Sequence, residues 1–137
     1  MTRSPLLCLP LLLSGCSLLP SHDPSQAWID LTSQEHEALQ ATQVDEKELE
    51  DDRYFQISPG KHELEVRFSF EVDPSNIGPD SQALPRTCLL TLDYDAFTAG
   101  ERYRLQAGSR GFRPWAQLYN ARGERLARAR EGRCGEV

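Results

Sequence analysis

The stretch His62-Glu63-Leu64-Glu65-Val66-Arg67-Phe68-Ser69-Phe70-Glu71-Val72 decides how this chain folds. Leu64, Val66, Phe68, Phe70 and Val72 alternate with Glu65, Arg67, Ser69 and Glu71. Successive side chains of a strand point to opposite faces, so the run predicts a strand with one face buried and one wet. Before it, Ser58-Pro59-Gly60-Lys61 has the composition of a tight turn and Tyr54-Phe55-Gln56-Ile57 that of a short strand. Together they predict a β-hairpin.

Further strands follow outward from this one. Thr87-Cys88-Leu89-Leu90-Thr91-Leu92-Asp93-Tyr94 carries apolar residues on both faces, as the middle of a packed sheet does. Tyr103-Arg104-Leu105-Gln106-Ala107 alternates again after the break at Ala99-Gly100-Glu101. Trp115 to Tyr119 and Glu124 to Arg128 flank Asn120-Ala121-Arg122-Gly123, a hairpin turn with glycine where positive φ is expected. Trp28-Ile29-Asp30-Leu31 and Leu39 to Val44 supply two more candidates. The segment Ser33 to Asp52 also reads as helix, since Thr32-Ser33-Gln34-Glu35 has the form of a helix start. Asn76 to Arg86, with Pro79 and Pro85, reads as a long surface loop. Short strands separated by turns predict an all-β fold, a single antiparallel β-sandwich of Ig-like type over residues 27–137.

Composition agrees with one such domain. The chain has 137 residues, 39% of them apolar, enough for a single core and too few for two ordinary domains. With 15 Lys and Arg against 21 Asp and Glu the formal charge is −6, which argues against nucleic acid as a partner. The charge is uneven. Residues 21–53 hold ten acids against Lys47 and Arg53, whereas from Ala99 onward nine arginines face four glutamates. Either the basic end docks an acidic partner through Arg125, Arg128 and Arg130, or it lies beside the acidic stretch and neutralises it within the fold.

The N-terminus carries an address. Met1-Thr2-Arg3 precedes an apolar run from Leu6 to Leu13, far short of the roughly 20 residues that span a bilayer. Leu13-Ser14-Gly15-Cys16 then resembles the lipobox of bacterial lipoproteins. That resemblance implies cleavage of residues 1–15 as a signal peptide, with a diacylglycerol on the Cys16 sulfur and an acyl chain such as palmitate on the new amine. Ser17, not Asp, follows Cys16, which by the same resemblance points to the outer membrane and its periplasmic face. Residues 16–26, with Pro20, Pro24 and several serines, read as a lipidated, flexible tether. Cys8 is lost with the signal, which leaves Cys88 and Cys134 in an oxidising compartment and predicts a disulfide between them.

Val44-Asp45, a loop, and then Tyr54 to Val66 with its Pro59-Gly60-Lys61-His62 resemble the layout of PEGA-like sandwiches, and Phe97 to Leu105 is similar to a later strand of small envelope lipoproteins. Glu46 stands where that layout has glycine, which implies a longer acidic loop in place of a tight turn at Asp45. The resemblance implies a fold and an address, with His62 bracing its turn, and brings no catalytic residues.

No G-x-S-x-G, H-E-x-x-H or P-loop motif occurs. His36 between Glu35 and Glu37 reads as a solvated charged stretch, since neighbouring side chains diverge on strand and helix alike. The expectation is therefore a non-catalytic, membrane-anchored binding or assembly module with an envelope protein partner and neither metal nor cofactor. An arginine face for acidic envelope lipid or glycan, and a small periplasmic hydrolase, are the alternatives.

Overall fold

A computed structural model describes residues 23–49 and 54–137. The lipobox residues Leu13, Ser14, Gly15 and Cys16 lie outside the described residues, as do Glu50, Asp51, Asp52 and Arg53. The described strands are β1 (Ala27–Thr32), β2 (Ala38–Val44), β3 (Lys47–Glu48), β4 (Tyr54–Ile57), β5 (Gly60–Val72), β6 (Leu84–Phe97), β7 (Arg102–Arg110), β8 (Arg113–Tyr119), β9 (Arg125–Arg128) and β10 (Arg130–Cys134). One sheet has the order β4-β1-β7-β8-β9 and the other β10-β6-β5-β2-β3. The fold is an all-β sandwich.

The alternating row of β5 is the floor of the core. Leu64, Val66, Phe68 and Val72 are fully buried and Phe70 nearly so, facing Ile29, Leu105 and Leu118 of the opposite sheet. A long antiparallel pairing, from Gly60 opposite Phe97 to Val72 opposite Leu84, holds β5 against β6. Cys88, Leu90 and Leu92 of β6 continue the inner face. Leu84, Pro85 and Arg86 belong to this strand, so the connection before it is shorter than its prolines suggest.

Four expectations need correcting. First, β4 and β5 are not a hairpin: β4 pairs with β1, and residues 58–59 carry the chain into the other sheet. Alternation tells which face of a strand is buried but not which strand lies beside it. Second, the sandwich is not wholly antiparallel. β1 runs parallel to β7, from Trp28 opposite Arg102 to Thr32 opposite Gln106, because residues 33–37 cross to the second sheet without turning back beside β1. Third, the described part of the segment from Ser33 to Asp52 contains no helix. Leu39 and Ala41 lie opposite Phe68 and Val66, and this pairing overrides the helix preference of the segment.

Fourth, Asp45 and Glu46 do form a tight turn. Val44 pairs directly with Lys47, and the two residues between them have φ of 51° and 67°. Two successive positive φ values are the mark of the turn that fits strand twist. Aspartate tolerates this conformation, and the Asp45 side chain is tied down on both sides, as described below. The hairpin between β8 and β9 forms as expected, with Gly123 at φ 78° and Asn120 Oδ1 accepting from the amides of Arg122 and Glu124.

The folded region reaches back to Asp23. Its amide donates to Gln56 Oε1 (2.7 Å), Ser25 donates to its carboxylate, and the Gly100 amide donates to the Gln26 carbonyl (2.9 Å). The far end of the expected tether is thus a turn seated on the sandwich. It sits at the end that also holds the Asp45–Glu46 turn, residues 58–59 and residues 98–101, here called the proximal end. The distal end holds residues 33–37, the loop after Val72 and the tip of the β7–β8 hairpin.

Cys88 and Cys134 lie opposite each other on β6 and β10 and are joined by a disulfide. The bridge closes a loop with a sequence separation of 46 residues, which in the chain-entropy account is worth about 4 kcal/mol. Replacing both cysteines by serine is expected to lower unfolding stability by about 2–4 kcal/mol, read as a lower denaturant midpoint. The same loss should appear when the unaltered chain is unfolded in reductant, and an unchanged midpoint under both conditions would contradict the structural role.

Candidate functional site

The sequence isolates three histidines, of which His22 lies outside the described residues and His36 sits in the exposed 33–37 connection. No group of His, Cys, Asp or Glu able to hold a metal ion occurs among the described residues. His62 is different. Its Nδ1 donates to Asp45 Oδ2 at 2.5 Å, and Nε2 lies 2.7 Å from the Ser58 carbonyl and 3.1 Å from the Ser58 hydroxyl. Serine, histidine and aspartate in this order resemble a nucleophile, base and orienting acid.

The hydrogen-bond directions oppose that reading. A carbonyl only accepts, so the shorter Nε2 contact, to Ser58 O, is a hydrogen bond only with the hydrogen on Nε2, whereas a base toward the hydroxyl needs a lone pair there. The ring joins three segments at the proximal end: the β2–β3 turn, the crossing between the sheets and the start of β5. Asp45 Oδ1 also accepts from the Glu63 amide at 2.8 Å. The Glu63 amide and then the His62 ring hold the Asp45 carboxyl below the usual carboxylate range. His62 is a brace, as its place after Pro59-Gly60-Lys61 suggested.

The arginines occupy a different part of the molecule. Arg125 and Arg128 lie on β9, opposite Tyr119 and Gln117 at the edge of the first sheet. Arg130, the third member of the grouping read from sequence, has crossed to the second sheet, where it donates to Asp93 (2.8 Å) and lies 4.0 Å from Glu63. The structure therefore divides the trio. The two charged stretches meet where β1 pairs with β7, while β3 and β4 form one lateral edge of the sandwich and β9 and β10 the other. Among the described residues, Asp30 and Arg102 make the ion pair that links the stretches, at 2.7 Å. Burial pushes the Asp30 carboxyl up, but hydrogen bonds from Arg102 and Trp28 outweigh it and hold the group low. Arg110, Arg125 and Arg128 have no carboxylate partner among the described residues.

These side chains share the outer face of the first sheet with both tryptophans. Trp28 is largely covered yet lies outside the core, with its indole donating to Asp30 (2.8 Å) and the Arg102 guanidinium 5.6 Å from its ring centre. Arg104 stacks over Tyr119 at 5.1 Å. Trp115 lies opposite Gly108, so close that a Cβ on Gly108 would collide with indole atoms Cζ2 and Cε2. The missing side chain lets the ring lie flat against the strand. Arg110 and Arg113 form the next row, and Arg113 lies 3.3 Å from Glu131.

Trp115 and Gly108 were not singled out from sequence. The available signal was the alternation Arg113, Trp115, Gln117, Tyr119, which puts an aromatic among polar residues on the wet face of β8. A second concavity, an open cleft of about 450 Å³ at the proximal end, is lined by Tyr94, Tyr103, Thr98 and Asn120, and contains no nucleophile paired with a base among the described residues. Comparison with protein-family models, characterised proteins and solved structures finds no match to this chain.

The Asp45 contacts stabilise the fold fully above the unfolded carboxylate pKa of about 3.9, and that stability is lost as pH falls through the lower folded value. Asp45→Asn is therefore expected to be less stable at pH 7 and to lose less on acidification from pH 5 to 3. Denaturant midpoints across that range check the sign; parallel acid limbs for both proteins would refute it. Gly108→Ala should cost about 1–3 kcal/mol and move the Trp115 ring, read as lower stability together with a shifted indole emission.

Proposed function

We propose that this chain is a bacterial envelope lipoprotein whose PEGA-like sandwich serves as a non-catalytic binding or assembly module on the periplasmic face of the outer membrane. The observation that carries the binding reading is the outer face of β7, β8 and β9, where Arg110, Arg125 and Arg128 are without acidic partners among the described residues. Six arginines and one aspartate on a flat sheet face form a field that attracts an acidic partner from a distance. The address rests on Leu13-Ser14-Gly15-Cys16 and its resemblance to a lipobox. The Cys88–Cys134 bridge supports export, since disulfides persist outside the reducing cytosol.

In this reading the acylated Cys16 holds the protein at the membrane, because two or more chains anchor stably where one does not. The partner is an envelope component recognised through the arginine face. Expression of the full chain in a bacterium fed a palmitate analogue tests the anchor. Label is expected on the protein and in the outer-membrane fraction, and Cys16→Ser is expected to lose label and membrane retention together. A Cys16→Ser chain that still fractionates with membranes would sink the anchor.

A further inference from the structure

We infer that the outer face around Trp115 is a binding site for an acidic polysaccharide of the uronate class. The inference deepens the binding reading above and needs the arginine face but not the lipid anchor.

Three observations point to a sugar as well as to a charge. Trp115 is held flat by the absence of a side chain at Gly108, so a rigid aromatic surface lies in the sheet face. A pyranose ring presents a flat, weakly polar surface of C–H bonds that stacks on such a platform, while an extended acidic peptide has no need of one. Planar hydrogen-bonding groups then surround the platform. Arg110 and Arg113 form the row on one side, and Gln117 with Arg128 the row on the other, with rows about 7 Å apart along the strands. A guanidinium fork matches a carboxylate with two parallel hydrogen bonds.

The relief of the surface fits the same ligand. A trough of about 660 Å³ runs past Trp115 between Arg110, Arg128 and Gln117, and a second of about 330 Å³ lies on its other side, lined by Gln106 and Thr32 and also by Glu37 and Glu71. Thr32 Oγ1 is buried there without a hydrogen-bond partner among the described residues. A short uronate chain lying over Trp115 and along the first trough would bring its carboxylates to Arg110 and Arg128, while Glu37 and Glu71 leave the second trough to ring hydroxyls alone. Glu131 does not cancel this charge, since it is paired with Arg113 and leaves Arg110 and Arg128 free of carboxylates among the described residues. The site lies toward the distal end, roughly 20 Å along β7 from the turn at Asp23. It therefore faces away from whatever holds the N-terminal segment, which favours a polymer in the surrounding medium over headgroups of an anchoring membrane.

The test uses the full chain carrying Cys16→Ser, so that failure of the anchor leaves the result readable. Binding of a galacturonate hexamer is measured by titration calorimetry beside its fully methyl-esterified form, poly-glutamate of matched charge, and phosphatidylglycerol vesicles. The acidic hexamer is expected to bind and the ester not. Trp115→Ala and the double variant Arg110→Ala/Arg128→Ala should each weaken binding about tenfold or more. Arg130→Ala, already occupied with Asp93, should leave it unchanged. Thermal melts of the exposed-arginine double variant guard against a trivial loss of fold. No binding of the acidic hexamer overturns the proposal. So does equal or tighter binding of poly-glutamate or the vesicles, which would make the face a charge reader for protein or lipid. Undiminished binding by Trp115→Ala overturns the stacking on which the sugar assignment rests.

Discussion

Five apolar side chains at every second position of β5 impose the constraint from which the other elements take their places. A strand bearing such a row gains stability only when a second layer covers that face, each fully buried side chain contributing about 1.5–3 kcal/mol. The second layer here is β1, β7 and β8, which bring Ile29, Leu105 and Leu118 over the row. Once β5 is committed, β6 and β2 are held in register beside it, because a slip by one residue would turn every buried side chain outward. The brace made by His62, Asp45 and Ser58 closes the end where the chain has just crossed between layers.

With both inner faces apolar, charge is confined to outer faces and edges, and chain order decides which edge receives the arginines. β3, with Lys47 and Glu48, comes early and lies at one side; β9 and β10 come late and bring Arg125, Arg128, Arg130 and Arg133 to the other. Between these edges the acidic and arginine-rich stretches meet where β1 pairs with β7 and Asp30 binds Arg102. The molecule thereby carries an arginine-rich outer face on β7, β8 and β9 that its overall formal charge of −6 conceals. A net-charge argument alone would miss the basic face.

What could be read from sequence follows the physics of each signal. Alternation in 64–72 and the glycine of the Asn120–Gly123 turn are local, and both appear as read. The Cys88–Cys134 bridge was legible from parity and compartment. The crossing after Ile57 was not, because Pro59-Gly60 marks a change of direction equally well within a sheet and between sheets. The Asp45–Glu46 turn was misread for a related reason: Glu46 lacks glycine's freedom, but the ties from Asp45 to His62 and Glu63 come from residues 17 and 18 positions away. At the candidate site, the excess of arginine was visible, while the departure of Arg130 to the other sheet depended on where β9 ends. The flat seat of Trp115 depended on a glycine across the strand pair, a relation that spacing along one chain does not encode.

The parallel alignment of β1 and β7 has a mechanical consequence. Both strands start at the proximal end, and β1 is the first strand after the turn at Asp23. A pull applied at the N-terminus and resisted at the distal hairpin of β7 and β8 acts along these two strands, not across them. The load is then shared by the whole hydrogen-bonded ladder from Trp28 to Thr32 in shear, instead of opening one bond at a time as in peeling. On its other side β1 is flanked by β4, which backs the same strand. A domain tied down at one end and gripping at the other would transmit tension through its strongest direction.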